Sequence, residues 1–221
     1  MRYFNLKHNH KKPAFTLLEL VFVIVVLGII AAMAMSRMDR DLKQEAADSI
    51  LSNIRHTQHL ALMDNKHMFN NPNWQQRFWK IMFSTCSNGD HFFRIGSDDD
   101  RDSGGSFEES EAATDPLSGK PLYLADGGDC SDATVSSEMF IGKKFGVTVA
   151  NGTGGCNGIK HIGFDHLGRP HVSFGASAVP NYSTYMATEC TFTFTMSDGD
   201  TFDINIAPET GYATIAGQED F

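Results

Sequence analysis

The chain of 221 residues lacks the short motifs that mark most catalysts. No G-x-S-x-G, H-E-x-x-H or Walker A stretch is present, and the glycine-rich run at 151–155 has neither the lysine nor the strand–helix setting of a phosphate loop. An enzyme is not expected. Positive charge is also scarce, with 18 Lys and Arg against 27 Asp and Glu. Four of the basic residues, Arg2, Lys7, Lys11 and Lys12, precede the first apolar run. The remainder carries 14 basic against 27 acidic residues, a net charge of −13. Such a body is poorly suited to the phosphate backbone, which is bound by Lys and Arg, so nucleic acid is not an expected partner. Cysteine is limited to Cys86, Cys130, Cys156 and Cys190, with no Cys-x-x-Cys pair to suggest zinc. Proline is absent from Phe15 to Met68, and Gly28 is the only glycine there.

What that segment does contain is a long apolar run. From Phe15 to Met35 only Thr16 and Glu19 are strongly polar. As an α-helix rising about 1.5 Å per residue, 21 residues span a hydrocarbon core of about 30 Å. The basic residues before the run would stay cytoplasmic, placing the C-terminal part outside. The competing reading is a secretory signal peptide cut near Ala31-Ala32-Met33-Ala34, but its apolar region is usually only about 7–15 residues long. Glu19 is the informative residue, because a carboxylate at the centre of a spanning helix costs about 2.5–3.5 kcal/mol and generally has a partner.

Ala14-Phe15-Thr16-Leu17-Leu18-Glu19-Leu20, with the apolar run to Ala34, resembles the cleavage and methylation motif of type IV prepilins and type II secretion pseudopilins. The resemblance implies cutting by a prepilin peptidase between Ala14 and Phe15, then N-methylation of Phe15 by the same peptidase/methylase. A small residue, Ala14, stands where that family usually has Gly. The resemblance also implies that Glu19 attracts the N-terminal ammonium of a neighbouring subunit during assembly. Partners would be other pilin or pseudopilin subunits and the inner-membrane assembly platform. The chain would be single-pass in a bacterial inner membrane, with its C-terminal domain periplasmic. The expected organisation is a basic leader at 1–14, a long helix at 15–69 with 15–35 in the membrane, and a β-rich globular domain at 70–221.

Beyond Met35 the pattern turns amphipathic. Ala46, Ala47, Ile50, Leu51, Ile54, Leu60, Ala61 and Met63 follow the spacing of one helix face. A continuous helix of about 50 residues is expected, ended by Asn70-Asn71-Pro72-Asn73. Short strands should follow at 78–84, 91–95, 145–149, 159–164, 171–174, 190–196, 201–206 and 211–215, divided by turn-forming clusters. The fold class is α+β: the long helix packed on two sheets of antiparallel strands, a sandwich-like C-terminal domain.

Two further stretches narrow the resemblance. Ile162-Gly163-Phe164-Asp165-His166-Leu167-Gly168-Arg169-Pro170 is similar to the F-D-x-x-G-R hairpin of the H-type minor pseudopilins and related type IV minor pilins. The end, from Phe202 to Tyr212, is similar to their closing strand, turn and strand. These imply a minor component near a filament tip or in its initiation complex, serving protein secretion or pilus biogenesis. Two rivals stand beside this reading: a DNA-binding competence pilin, which the acidic charge opposes, and a monomeric anchored periplasmic domain that binds a ligand.

In an exported domain four cysteines suggest two disulfides. Cys86–Cys130 with Cys156–Cys190 is the expected pairing, although the sequence does not choose among three. The stretch from Asp98 to Glu109 places oxygen ligands at Asp98, Asp100, Asp102 and Ser106, with Glu109 at position 12, as in a calcium loop. Ser103 replaces the usual Gly, and a solvated acidic loop is the preferred reading. Calcium is the one cofactor the sequence suggests. Asp115, Asp126 and Asp129 form a second candidate cluster. His56 and His59 share a helix face but offer too few ligands for a metal, and His161, His166 and His171 read as strand or turn residues.

Overall fold

Thr191, Thr193 and Thr195 alternate with Phe192, Phe194 and Met196, a period of two that makes one face apolar. In the computed structural model, which describes residues 16–101, 105–176 and 178–218, this run is a strand with strictly alternating burial. Side chains of residues 32–41 and 149–151 lie outside the description. The chain divides into two compact units, one ending at Asp41 and the other starting at Leu42.

Helix α1 (Leu17–Met63) contributes to both units. In the first, Thr16 caps it: Thr16 Oγ1 accepts the Glu19 N–H at 3.3 Å, which places Glu19 in the first turn. Between Leu17 and Ile30 the large apolar side chains are exposed all round the helix.

In the second unit α1 is amphipathic. Ala46, Ala47, Ile50, Ile54, Thr57 and Ala61 are buried, with Leu51 and Leu60 packed beside them. Thr57 sits on this face because its Oγ1 donates to the Asn53 carbonyl at 2.8 Å, leaving no unmet donor. Met63 is exposed.

The helix ends at Met63, earlier than proline at 72 requires. Asn65 Oδ1 accepts the His67 N–H, and Asp64 Oδ2 accepts from Trp79 Nε1 and pairs with Lys66. Side-chain bonds of this kind compete with helical ones and turn the chain.

The rest is β-rich. Strands β1 (Trp79–Thr85), β2 (His91–Gly96), β4 (His161–Phe164) and β5 (Pro170–His171) form an antiparallel sheet ordered β2-β1-β4-β5. Strands β3 (Val147–Gly154), β6 (Cys190–Met196), β7 (Thr201–Ile206) and β8 (Ala213–Ile215) form a second, ordered β3-β6-β7-β8. The sheets meet through Phe83, whose ring lies 5.5 Å from Phe192 and 5.3 Å from Phe194. Both faces share one core with the helix. The fold is α+β, with a helix against two antiparallel sheets.

Several strand boundaries differ from the sequence pattern: β3 runs on through the glycine-rich stretch to Gly154, β4 and β8 start two residues late, and two further differences have a local cause. Phe145 closes a short helix α2 (Ile141–Phe145) rather than opening a strand, because Gly146 takes a left-handed conformation (φ 73°) and ends the turn. The expected strand at 171–174 shortens to Pro170–His171: Phe174 leaves the ladder to join Trp74 and Phe78 in a small second cluster.

Candidate functional site

The N-terminal residues Ala14 and Phe15 lie outside the described residues. Glu19 is described, exposed and in the first turn of α1, where a carboxylate also favours the positive end of the helix dipole. Among the described residues no helix is long and apolar enough to cross a membrane. The expected span at 15–35 begins at Phe15, outside the description, and its last side chains, 32–35, lie outside it too.

The acidic loop is built from β1 outward. Ile81 and Phe83 face the shared core, so Lys80 faces the other way, and it is fully buried. Its ammonium donates to the carbonyls of Gln76 (3.0 Å), Gly105 (2.8 Å) and Ser106 (3.3 Å) and lies 5.6 Å from the Phe174 ring centre. Burial pushes its pKa down to about 8, against the opposing pull of Asp98. Gly96 lets the chain return: a Cβ there would stand 2.3 Å from the Phe107 ring. The Ala113 N–H then donates to the Ile95 carbonyl, covering the edge of β2.

This return brings Glu111 over the loop. Its Oε1 accepts the N–H of Asp99 (2.5 Å) and Asp100 (3.1 Å), while Oε2 accepts that of Glu108 (3.1 Å). One carboxylate oxygen each from Asp98, Asp100 and Glu111 lie within 4.8 Å of one another. Glu109 is exposed and stands apart from this group, and Asp102 lies outside the described residues. Sequence spacing missed Glu111 because the chain doubles back. The signal was the Glu108-x-x-Glu111 pair, which forms a capping box on a single 3-10 turn.

Asp99 is used differently. Burial would raise its pKa, but Lys66 at 2.8 Å and Arg77 at 3.2 Å outweigh that and hold it below the usual range. The second candidate cluster does not assemble. Asp115 accepts from Ser118 and Ser136, Asp126 pairs with Arg94, and Asp129 bonds Ser131. His56 and His59 stay on α1, where burial, with His59 adding to it, lowers the pKa of His56. Among the described residues neither joins a group of three candidate ligands.

Cys86–Cys130 and Cys156–Cys190 are disulfide-bonded. The first ties the end of β1 to the long segment preceding α2. The second joins the segment after β3 to the start of β6.

The F-D-x-x-G-R stretch forms the turn between β4 and β5. Asp165 is buried and accepts from the Leu167 N–H (2.9 Å), the Arg169 N–H (2.9 Å) and Arg169 Nε (2.7 Å), with His171 Nε2 at 3.5 Å. Gln58 on α1 was not anticipated from sequence. Its amide reaches this turn and the Pro208–Gly211 turn together.

The described residues thus combine a helix apolar on every side between Leu17 and Ile30, a carboxylate in its first turn, and two antiparallel sheets with two disulfides. The comparison with protein families agrees at the N-terminus: the model "Prokaryotic N-terminal methylation motif" matches residues 9–35. The chain thus carries a prepilin-type signal, which implies processing by a peptidase and assembly with other pilin subunits. No curated protein and no solved structure matches the chain.

Proposed function

We propose that this protein is a minor pseudopilin or minor type IV pilin. Residues 15–35 hold the precursor in the inner membrane with residues 70–221 on the periplasmic side. Prepilin peptidase cuts between Ala14 and Phe15, Phe15 is methylated, and the assembly platform builds the subunit into a filament for secretion or pilus biogenesis. The single observation that carries this reading is the methylation motif at 9–35, within which α1 carries apolar residues on every side from Leu17 to Ile30.

Glu19 supplies the chemistry. A carboxylate and an ammonium about 4 Å apart attract by about 4 kcal/mol at an effective dielectric near 20. That offsets much of the combined cost of about 5–7 kcal/mol for two charges among apolar groups, so the pair is penalised less than either charge alone. The minor rather than bulk role rests on the F-D-x-x-G-R turn and on the closing β7–β8 segment.

Intact-mass measurement on protein from native membranes tests the reading. The expected N-terminus is methylated Phe15, and an intact Met1 or another terminus would sink it. Glu19→Val is expected to be cleaved yet fail to enter filaments. Unchanged assembly or secretion in that variant would favour the monomeric anchored domain.

A further inference from the structure

We infer that the loop following β2 binds a calcium ion through the carboxylates of Asp98, Asp100 and Glu111. The three contribute oxygens within 4.8 Å of one another. That separation fits ligands about 2.3–2.6 Å from a shared ion. An acidic cluster alone is commonplace, but Asp98 adds an independent observation. It has 0% exposure, its Oδ2 accepts the Gly105 N–H at 2.9 Å, and its Oδ1 has no hydrogen-bond partner among the described residues. Buried carboxylate oxygens are seldom left in that state, and a cation beside the other two acids resolves it.

The local charges agree. Asp99 is taken up by Lys66 and Arg77. Lys80 places one ammonium against the carbonyls of Gly105 and Ser106, the segment whose N–H meets Asp98. The donors are all oxygen, with neither His nor Cys among them, which selects a hard cation over zinc. Calcium tolerates irregular loop geometry, whereas magnesium demands a near-ideal octahedron. Glu111 remains competent as a ligand through Oε2, which accepts one N–H and keeps a second lone pair, whereas Oε1 already accepts two. The ion would fasten Asp98 and Asp100 to Glu111, closing the loop at its base. This inference does not depend on the filament reading.

The test uses the full chain in detergent, stripped with EGTA and titrated with calcium chloride by calorimetry. One ion per chain is expected, with Kd on the order of 10⁻⁴–10⁻³ M. At 100 times that Kd the melting temperature should rise by about 5–10 °C. Asp98→Asn and Glu111→Gln should each weaken binding by about tenfold or more, following the loss of a charged ligand. Glu109→Gln, which lies outside the cluster, should leave binding unchanged. Should Asp98→Asn fail to fold, Asp100→Asn on the exposed side of the loop gives the same reading. Absence of saturation at about 10 mM, well above the expected Kd, overturns the site. So does calcium binding unaffected by Asp98→Asn or Asp100→Asn, or magnesium binding as tightly as calcium. A loss in Glu109→Gln as large as in Glu111→Gln overturns the ligand set.

Discussion

Gln58 donates its side-chain amide to the Gly168 carbonyl at 2.8 Å, and the same nitrogen reaches the Thr210 carbonyl at 2.7 Å. A single residue of α1 therefore fastens the β4–β5 turn and the turn preceding β8. The fit is close, because a Cβ on Gly211 would stand 2.3 Å from the Gly168 carbonyl oxygen and 2.7 Å from Gln58 Nε2.

Gln58→Ala is expected to destabilise the domain by about 1–3 kcal/mol, chiefly the cost of leaving the partly buried Gly168 carbonyl without a donor, since the exposed Thr210 carbonyl can turn to water. Gly211→Ala should cost at least as much, since it adds the clash to a left-handed backbone (φ 67°) that alanine rarely adopts. Urea denaturation of the two variants and their double mutant checks this. Additive losses would show that the residues do not share a site.

The disulfides should be unequal in local effect while similar in global cost. Closing segments of 44 and 34 residues contributes about 4 kcal/mol each in the chain-entropy model. Cys156 and Cys190 flank β3 and β6, which already pair along their length. Cys130, by contrast, sits in a segment held by few strand contacts. The paired change Cys86→Ala with Cys130→Ala should open residues 115–135 to limited proteolysis. Cys156→Ala with Cys190→Ala should leave that segment protected.

How much of this was legible depended on whether the deciding contacts were local. β6 and β7 could be read to the residue because Thr191 to Met196 and Thr201 to Ile206 alternate cleanly. The helix stop was misplaced because Pro72 is conspicuous, whereas Asp64 and Asn65 end α1 through bonds to Trp79 and His67. Glu111, Lys80 and Gln58 were invisible as site residues for one shared reason. Each acts on backbone groups brought near by the fold: the loop turns back at Phe107, Lys80 meets carbonyls 25 and 26 residues away, and Gln58 meets one 110 residues away. The acidic run itself was legible, and Asp98 and Asp100 belong to the cluster, but spacing alone pointed to Glu109.

Asp165 should govern part of the acid sensitivity. Burial alone would raise its pKa, but the His171 ring, the Arg169 side chain and the N–H groups of Arg169 and Leu167 outweigh it and hold the carboxyl well below its usual range. A depressed carboxylate contributes stability that is present above the unfolded pKa near 3.9 and is lost as pH falls through the folded value. The wild-type domain should lose stability steadily below about pH 4. Asp165→Asn should be less stable near neutrality and show a shallower acid limb. Equal limbs in the two proteins would show that the hairpin carboxylate is not the group responsible.

Lys80 should add a second rise of stability with pH, this one in the alkaline range. Its folded pKa of about 8 lies below the unfolded value of about 10.4, so between them the unfolded chain binds a proton that the folded chain does not. Stability therefore rises with pH across that window, while below about pH 8 the buried ammonium holds it at a constant disadvantage. Bonds to Gln76, Gly105 and Ser106 reduce the disadvantage without removing it, because burial is the dominant cause of the shift. Lys80→Met keeps most of the side-chain length and cannot titrate, so it should abolish this increment whatever it does to stability at pH 7. Tyrosines and the other lysines titrate in both proteins, so the informative quantity is the difference in stability between them from pH 7.5 to 10, measured in EGTA. A difference that stays flat across that range would show that the amine is not buried as the β1 register places it.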